Sequence, residues 1–227
     1  MNHAKIGVVI ADDMEFAPLL KRAKHYGLTH GKICSFESAS FSFAGKEITA
    51  VRCGDGKVNA AAATALLIER EKPCCIINIG LSGGVKNVNR GTIFAGTSFM
   101  ECDFDLSVLG YKKGEKPGQD YVYEADKELL SKIPQDLGIR FLKCGTGDFF
   151  ITKDSVKEEF YRLFGINAFD METGAIASVC HTCSVPFLSI RKISDDSEDS
   201  AAKDYRQMNN LAETALSDIM LRVIENL

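Results

Sequence analysis

The chain has 227 residues, of which 45% are hydrophobic and 26% charged, and its formal net charge at pH 7 is −4. These values are ordinary for a soluble globular protein that can bury one large core. The weakly acidic balance and the lack of a basic tract argue against nucleic-acid partners, although they do not exclude a small, nearly uncharged ligand. Because no apolar run approaches the length of a membrane span or a signal peptide, we expect a cytoplasmic protein with no membrane partner.

The eight cysteines are scattered along the chain, and without a secretion signal they are expected to be reduced, mostly buried thiols. Cys180 and Cys183 form a CxxC pattern. A zinc site would need a second ligand pair at matching spacing, and none stands out. The CxxC pair also lies within an apolar helical pattern, so we predict no metal site.

The first half of the chain opens with an apolar run at 5–11, which predicts a strand buried on both faces. Asp12 and Asp13 end this strand and can cap a helix that begins near Met14 or Glu15. The segments that follow are predicted as three β-like stretches (33–38, 40–44 and 47–53), a glycine break (54–57), an alanine-rich helix (58–68) and an apolar strand (74–79) that ends in a glycine-rich turn (80–84).

The second half continues the alternation of strands and helices. Its predicted elements are a strand (91–100), a long polar loop (103–119), a helix (123–132), a strand (140–146), a helix (153–164), a short strand (167–171), a helix (174–183), a strand (186–193) and a C-terminal helix (about 203–227). This alternation predicts a three-layer α/β fold with helices on both faces of the sheet. No composition break, repeat or linker divides the chain, so we predict a single domain over residues 1–227.

Ligands of such folds bind beyond the carboxyl ends of the strands. This rule selects five segments, which carry carboxylates or glycine-rich turns: 12–15, 54–57, 80–84, 170–172 and 194–195.

Two common phosphate-binding motifs are missing at these positions. A Walker A loop needs Ser or Thr after Gly56-Lys57, where this chain has Val58, and the turn after the first strand lacks GxGxxG. Both absences argue against a nucleotide triphosphatase and a nicotinamide dehydrogenase, and no cofactor is predicted.

The ordered set of strand-exit motifs resembles the methylthioadenosine/S-adenosylhomocysteine nucleosidases, within the wider purine nucleoside phosphorylase superfamily. The resemblance covers nearly the whole chain, and Met171-Glu172 followed by Ser194-Asp195 is its most telling pair. The other motifs are Lys5-Ile6-Gly7 with Met14-Glu15, Gly54-x-Gly56-Lys57-Val58-Asn59-Ala60-Ala61, Ile77-Asn78-Ile79-Gly80-Leu81-Ser82-Gly83-Gly84, Gly147-Asp148-x-Phe150-Ile151 and Thr173-Gly174-Ala175-Ile176-Ala177. The resemblance implies a central mixed, twisted β-sheet flanked by helices, and hydrolysis of 5′-thio-substituted adenine nucleosides.

Cleavage of a ribosyl–adenine bond needs an acid for the purine and a base for the attacking water. By resemblance Asp195 is the acid, which protonates N7, and Glu15 is the base. The resemblance also implies that Glu172 binds the ribose hydroxyls. The remaining substrate contacts that it implies come from Met171, Phe150 (stacked on adenine), Ile151 and Ser194.

Several of these residues also have purely structural interpretations. Asp195 could cap a helix, Glu15 could be a first-turn acid, Glu172 could lie on the surface, and Phe150 could be a core ring. Arg191 either orients Glu15 or the water, or forms an ordinary salt bridge.

Three positions depart from the family pattern. Leu81 replaces the hydroxyl residue expected near the attacking water, and Ser82 is the neighbour that could take its role. Asp55 and, less firmly, Asp12 stand where relatives have apolar residues beside the 5′ thioether. Since an unpaired buried carboxylate is costly, either these side chains face water or the ligand tail carries polarity or positive charge.

The resemblance also predicts a homodimer. Leu106, Leu109 and Tyr111 match a segment that relatives donate across a dimer interface, and Tyr205 matches an aromatic lid. Ordinary loop packing is the alternative for all four residues.

Three other functions remain open at this point. A phosphorylase would need arginines near Asn78 and in the first strand–helix turn, and Arg52 is the only nearby candidate. A hydrolase of another purine nucleoside, such as futalosine, is compatible with the polar Asp55. A non-catalytic nucleoside-binding protein is favoured only by Leu81.

Overall fold

The computed structural model describes residues 4–195 and 212–227, and within them a ten-stranded mixed β-sheet forms the centre of the molecule. Its strands are β1 (Lys5–Ile10), β2 (Thr29–Ile33), β3 (Phe36–Phe43), β4 (Lys46–Arg52), β5 (Cys75–Gly84), β6 (Ile93–Glu101), β7 (Val122–Glu124), β8 (Arg140–Thr146), β9 (Ala168–Asp170) and β10 (Phe187–Asp195). The helices are α1 (Asp13–Ala23), α2 (Lys57–Glu71), α3 (Lys127–Ser131), α4 (Asp154–Phe164), α5 (Thr173–Thr182) and α6 (Ala212–Glu225).

The strand order is β10-β6-β8-β9-β5-β1-β4-β3-β2, with β7 beside β6. Strands β1, β4, β5 and β10 run parallel, so their carboxyl ends meet at one edge. Strand β5 also pairs with both β10 and β9, and this double pairing closes β5, β10, β6, β8 and β9 into a ring. The predicted α/β class, with a mixed sheet between helices, is confirmed.

Apolar residues on both faces of the sheet hold the layers together. On one face, Phe16 and Leu19 of α1 pack with Met220 of α6 against β1 and β5. On the other face, α2 and α5 contribute Leu67 and Ile176 to a second cluster. Each such fully buried side chain stabilises the fold by about 1.5–3 kcal/mol. The sheet edge that carries the loops is thereby fixed from both sides.

Helix α1 begins where the sequence predicts, because Asp12 is its N-cap. The Asp12 Oδ1 atom accepts a hydrogen bond from the Glu15 backbone N–H at 2.9 Å. This bond satisfies one of the donors that every helix leaves unpaired at its start. The cap also fixes Glu15 in the first turn, directly after a rigid buried strand.

Predictions for three parts of the chain are wrong in the bounds or type of the elements. The sequence predicts separate β-like stretches at 33–38 and 40–44, but β2 ends at Ile33, the chain turns at Cys34, whose φ is 53°, and β3 runs unbroken over Phe36–Phe43. The glycine segment 80–84 is not a turn: it continues β5, since its backbone pairs with β10 and β9. The helix predicted at 123–132 is divided into β7 and α3 because β7 pairs with β6. In each case pairing with a distant strand outweighs the local pattern.

The described part of the chain has no helix that is long and apolar enough to cross a membrane. Within residues 4–195 and 212–227, no three His, Cys, Asp or Glu side chains are arranged to hold a metal ion. Cys180 is buried and Cys183 exposed, and both are free thiols. The first part of the predicted C-terminal helix, before Ala212, lies outside the described residues.

Candidate active site

A cavity of about 520 Å³ opens at the carboxyl edge of the sheet. It is formed by the segments that follow β1, β4, β8 and β9 together with the ends of β5 and β10. Its lining includes ten of the predicted site residues: Glu15, Asp55, Leu81, Ser82, Phe150, Ile151, Met171, Glu172, Arg191 and Ser194. The rule that ligands bind beyond the strand ends therefore selected segments that meet in one place.

Glu15 is buried in the cavity wall with 5% of its surface exposed. Its Oε1 atom accepts a hydrogen bond from the Leu81 backbone N–H at 2.7 Å, whereas Oε2 has no hydrogen-bond partner among the described residues. Burial raises the pKa of Glu15 to about 8, although the Arg191 charge opposes the shift. Glu15 is thus a first-turn acid that faces the cavity.

Gly80 makes room for this carboxylate. A Cβ atom at position 80 would lie 2.8 Å from Oε1 and 3.0 Å from Oε2 of Glu15. Since the first of these contacts is closer than real Cβ atoms show, any larger residue at position 80 would force the Glu15 carboxylate to move.

Glu172 is also buried, with 5% of its surface exposed, so the interpretation of Glu172 as a surface acid is wrong. Its Oε1 accepts a hydrogen bond from the Gly56 backbone N–H at 3.0 Å. Burial raises the pKa of Glu172 to about 7, and the nearby Arg191 guanidinium acts in the opposite direction. Gly56 has a φ of 91°, which favours glycine and aims its N–H at Glu172.

Arg191 is fully buried and connects the acids behind the cavity. Its Nε lies 3.5 Å from Asp170 Oδ2, and its Nη2 lies 3.7 Å from Glu172 Oε2. It also donates to Asn78 Oδ1 at 2.9 Å and to the Leu81 carbonyl. Arg191 therefore forms ion pairs with Asp170 and Glu172, as the salt-bridge interpretation states, and its charge still reaches Glu15.

Asp170 holds the Met171-Glu172 turn in shape. Its Oδ1 accepts hydrogen bonds from the backbone N–H groups of Glu172 at 3.0 Å and Thr173 at 2.9 Å. The Thr146 hydroxyl donates to the same oxygen at 2.9 Å. Asp170 thus fixes the start of α5 and, with it, the position of Glu172.

Ser82 lies in β5 beside Leu81, and both line the cavity. The Ser82 Oγ accepts a hydrogen bond from Arg191 Nε at 2.9 Å. This bond leaves the hydroxyl proton of Ser82 available for another acceptor, because a hydroxyl both donates and accepts. Leu81 contributes its backbone N–H to Glu15, so the missing side-chain hydroxyl at position 81 does not remove the backbone donor.

The aromatic end of the cavity is formed by the loop after β8. Phe149 packs into the core against Phe160, with ring centroids 5.9 Å apart, and against Phe169, at 5.2 Å. Phe150 is 44% exposed at the cavity, so its interpretation as a core ring is wrong. Ile151 is buried and lines the cavity beside it.

The two carboxylates that depart from the family pattern differ in position. Asp12 is the α1 cap, and the cavity-lining residues do not include it. Asp55 is an exposed residue on the cavity lining. Partial burial and the neighbouring Asp12 charge both raise the pKa of Asp55.

Three predicted site residues within the described part of the chain do not line the cavity. Leu109 is 67% exposed and Tyr111 38% exposed, and neither they nor Leu106 line the cavity. The backbone of Asp195 ends β10 next to the cavity-lining Ser194, but its side chain lies outside the described residues, as does all of Tyr205.

Sequence reasoning assigned no role to several residues that build the site. Asn78 is a lone polar residue within an apolar strand, and Asp170 is the first acid of Asp170-Met171-Glu172, so both carried a signal. Lys157 of α4 is buried and lines the cavity, yet it looks like an ordinary residue of an amphipathic helix.

A family model described as the phosphorylase superfamily matches residues 5–225, and the chain belongs to that superfamily. The chain is 31% identical to the 5′-methylthioadenosine/S-adenosylhomocysteine nucleosidase of Bacillus subtilis, with all of both chains covered. Within the superfamily it is therefore a member of the 5′-methylthioadenosine/S-adenosylhomocysteine nucleosidase family.

Solved structures agree with this assignment. The S-adenosylhomocysteine nucleosidase of Streptococcus pyogenes, solved with 5-methylthiotubericidin, has a TM-score of 0.92 and 27% identity, and the match covers 100% of this chain and 98% of that one. A futalosine hydrolase mutant of Helicobacter pylori has a TM-score of 0.94 at 20% identity, with coverage of 99% and 100%. At that identity the second likeness shows the common fold alone.

Proposed function

We propose that this chain hydrolyses the N-glycosidic bond of 5′-thio-substituted adenine nucleosides, namely 5′-methylthioadenosine and S-adenosylhomocysteine, and releases adenine and the thioribose. The observation that carries the proposal is the pair of buried carboxylates, Glu15 and Glu172, on the wall of one cavity. In a member of this nucleosidase family, that arrangement suits a sugar that lies between the departing purine and an attacking water.

The purine departs when the C1′–N9 bond breaks and the electron pair of that bond moves to the purine. Phe150 stacks on the adenine ring, and Ile151 binds its edge. We assign the proton donor for N7 to Asp195, because its backbone directly follows Ser194 at the cavity wall. Protonation of the purine makes it a better leaving group, so the sugar can develop positive charge at C1′.

The water attacks C1′ from the side of Glu15. The Glu15 Oε2 atom, which has no partner among the described residues, accepts the water proton, while the Leu81 N–H holds Oε1 at 2.7 Å. The water oxygen then forms the new bond to C1′. Since Glu15 acts as a base only when ionised, its raised pKa of about 8 makes the ligand-free site more active as the pH rises toward that value.

Glu172 binds the ribose hydroxyls. Its carboxylate is oriented by the Gly56 N–H at 3.0 Å and by the Arg191 charge, and Met171 packs against the sugar. The hydrogen bonds that Glu172 accepts from the sugar are charge-assisted and therefore strong.

The pairing of the nearby arginines with carboxylates favours water rather than phosphate as the nucleophile. Arg191 is matched by Asp170 and Glu172, so its charge is already balanced by two carboxylates. Arg52, the candidate from the sequence, pairs with Asp13 at 2.9 Å and Glu37 at 3.1 Å and does not line the cavity. A phosphate ion in the cavity would face several acids and few available positive charges.

The test is the release of free adenine and free thioribose from 5′-methylthioadenosine in phosphate-free buffer. We expect turnover without phosphate and an Asp195→Asn variant whose kcat is lower by ~10²–10⁴ while its circular dichroism spectrum is unchanged. A strict requirement for phosphate would show a phosphorylase instead. A loss smaller than tenfold in the variant would remove Asp195 from the acid role.

We further propose that the working form is a cytoplasmic homodimer. The support for a dimer is the exposed apolar segment that carries Val108, Leu109 and Tyr111 on the loop after β6. Leu106, Leu109 and Tyr111 of one chain would complete the tail end of the partner's cavity, and Tyr205 would cover it. The support for the cytoplasm is the set of exposed free thiols at Cys34, Cys74 and Cys183, which fits a reducing compartment.

A further inference from the structure

Asp55 is held at the cavity by its own backbone. It stands between Gly54 and Gly56, whose φ values of 83° and 91° define a tight turn that other residues rarely adopt. The Gly54 N–H donates to the Ala11 carbonyl at 2.8 Å, and the Asn59 side chain donates to the Asp55 carbonyl at 2.9 Å. The Asp55 side chain therefore projects from a fixed point beside the end of β1.

This point lies beside the proposed ribose anchor, because the Gly56 N–H, one residue after Asp55, donates to Glu172 Oε1 at 3.0 Å. The same turn contacts the loop after β8, where the Lys57 N–H donates to Asp148 Oδ1 at 2.8 Å. Ala11 and Met14, after β1, line the cavity on the Asp55 side. A nucleoside whose ribose is bound by Glu172 has its 5′ substituent close to this side of the cavity.

The charges on the cavity wall do not balance there. The lining residues carry four carboxyl groups, Glu15, Asp55, Asp170 and Glu172, of which Glu15 is protonated at pH 7 because its pKa is about 8, and two cationic side chains, Lys157 and Arg191. Arg191 is matched by Asp170 and Glu172. Within the part of the chain that the structure describes, no Lys or Arg forms an ion pair with Asp55, and the nearby Asp12 charge repels it.

We propose that Asp55 is a specificity-determining residue that selects nucleosides whose 5′-thio substituent carries a positively charged group, an alkylammonium in the simplest case. This inference rests on the proposed function, since it concerns the tail of the same substrate. An ammonium two carbons beyond the sulfur lies within the reach of a carboxylate at the cavity mouth. It replaces the missing cation and relieves the repulsion between Asp55 and Asp12.

The test compares two 5′-thio substituents of matched size, one cationic and one neutral. The compounds are 5′-(2-aminoethylthio)-5′-deoxyadenosine, which is cationic, and 5′-(propylthio)-5′-deoxyadenosine, which is neutral. We expect wild-type kcat/KM to favour the cationic compound by about fivefold, the factor that a partly exposed ion pair supplies. Asp55→Asn should remove this preference, and about 1 M salt should weaken it in the wild type.

The matched control is Asp13→Asn, which removes an acid close in sequence that pairs with Arg52 and does not line the cavity. We expect the preference to survive in this variant. A ratio near one in the wild type, or a preference that Asp55→Asn leaves unchanged, would overturn the inference while hydrolysis itself stands. Failure to release adenine from either compound or from 5′-methylthioadenosine would overturn the proposed function as well.

Discussion

Glu15 lies in an environment that opposes its charge, and this conflict has a measurable cost. Its carboxyl group is buried, and its pKa is raised from 4.5 to about 8 mainly by the loss of water. At pH 7 the unfolded chain would ionise this group, whereas the folded chain keeps it protonated. The difference of about 2.5 pH units corresponds to roughly 3 kcal/mol of lost stability.

The Glu15→Gln variant should therefore be more stable than the wild type and inactive. The raised pKa makes the Glu15 contribution most favourable below pH 4.5, and that contribution falls as the pH rises to about 8. We expect the variant to gain about 4 kcal/mol in the free energy of unfolding near pH 8, and almost nothing near pH 4.5. Urea unfolding at a series of pH values measures the difference. Equal pH dependence of the two proteins would contradict the burial argument.

The Arg191 charge, in contrast, stabilises the fold, because it pairs with two buried carboxylates. Removing it in Arg191→Met leaves Asp170 and Glu172 buried without their cation, which should cost about 3–5 kcal/mol. The control is Arg222→Met, which breaks an exposed pair with Asp136 at 2.8 Å and should cost no more than about 1 kcal/mol. Denaturant unfolding of both variants measures these losses in the free energy of unfolding. Similar small losses would show that Arg191 is dispensable to the fold.

At the scale of elements, the glycine-rich end of β5 connects fold and site. The segment 80–84 pairs with β10 and β9, so it closes the ring of strands, and it also supplies the N–H that holds Glu15. A small side-chain change in this segment should therefore affect kcat more than the free energy of unfolding.

Gly80→Ala tests this connection. The new methyl group would lie within 3.0 Å of both Glu15 oxygens and must displace the carboxylate, because the three nearest atoms all belong to Glu15. Gly80 has no positive φ, so alanine strains no backbone at this position. We expect kcat to fall about 10²-fold, in line with the loss of a positioned base. The control is Gly31→Ala in β2, where the nearest atom is the Ser38 hydroxyl at 3.3 Å. Comparable kinetics in the two variants would show that Gly80 makes no special room.

The whole molecule presents an exposed apolar loop that a single chain does not bury. Leu109→Asp places a charge on that loop. We expect it to convert the proposed dimer into monomers and to raise KM for 5′-methylthioadenosine, because the cavity would lose the wall that we propose the partner supplies. Sedimentation equilibrium measures the mass. Phe141→Asp is the control, since Phe141 is 54% exposed near the start of β8, at the opposite end of that strand from the cavity loop. A wild-type chain that sediments as a monomer would contradict the proposed assembly.

Most of the fold could be predicted from local patterns, and the exceptions share one cause. The apolar runs that became β1 and the first part of β5 are recognisable because strands buried on both faces need continuous apolar residues. The errors at 80–84 and 123–132 arise where backbone pairing with distant strands decides the structure. Glycines in a strand look like a turn until the partner strands that need their small size are known.

The sequence by itself determined the family, the segments at the strand ends and the residue types that could act there. Only the tertiary structure decided their environment: that Glu15 and Glu172 are buried, that Arg191 is held by Asp170 and Glu172, and that Asp55 has a place on the cavity wall. The physical reason is that residue types follow from local chemistry, whereas burial, ion pairing and pKa depend on which distant segments meet. Those meetings are set by the order of the strands in the sheet.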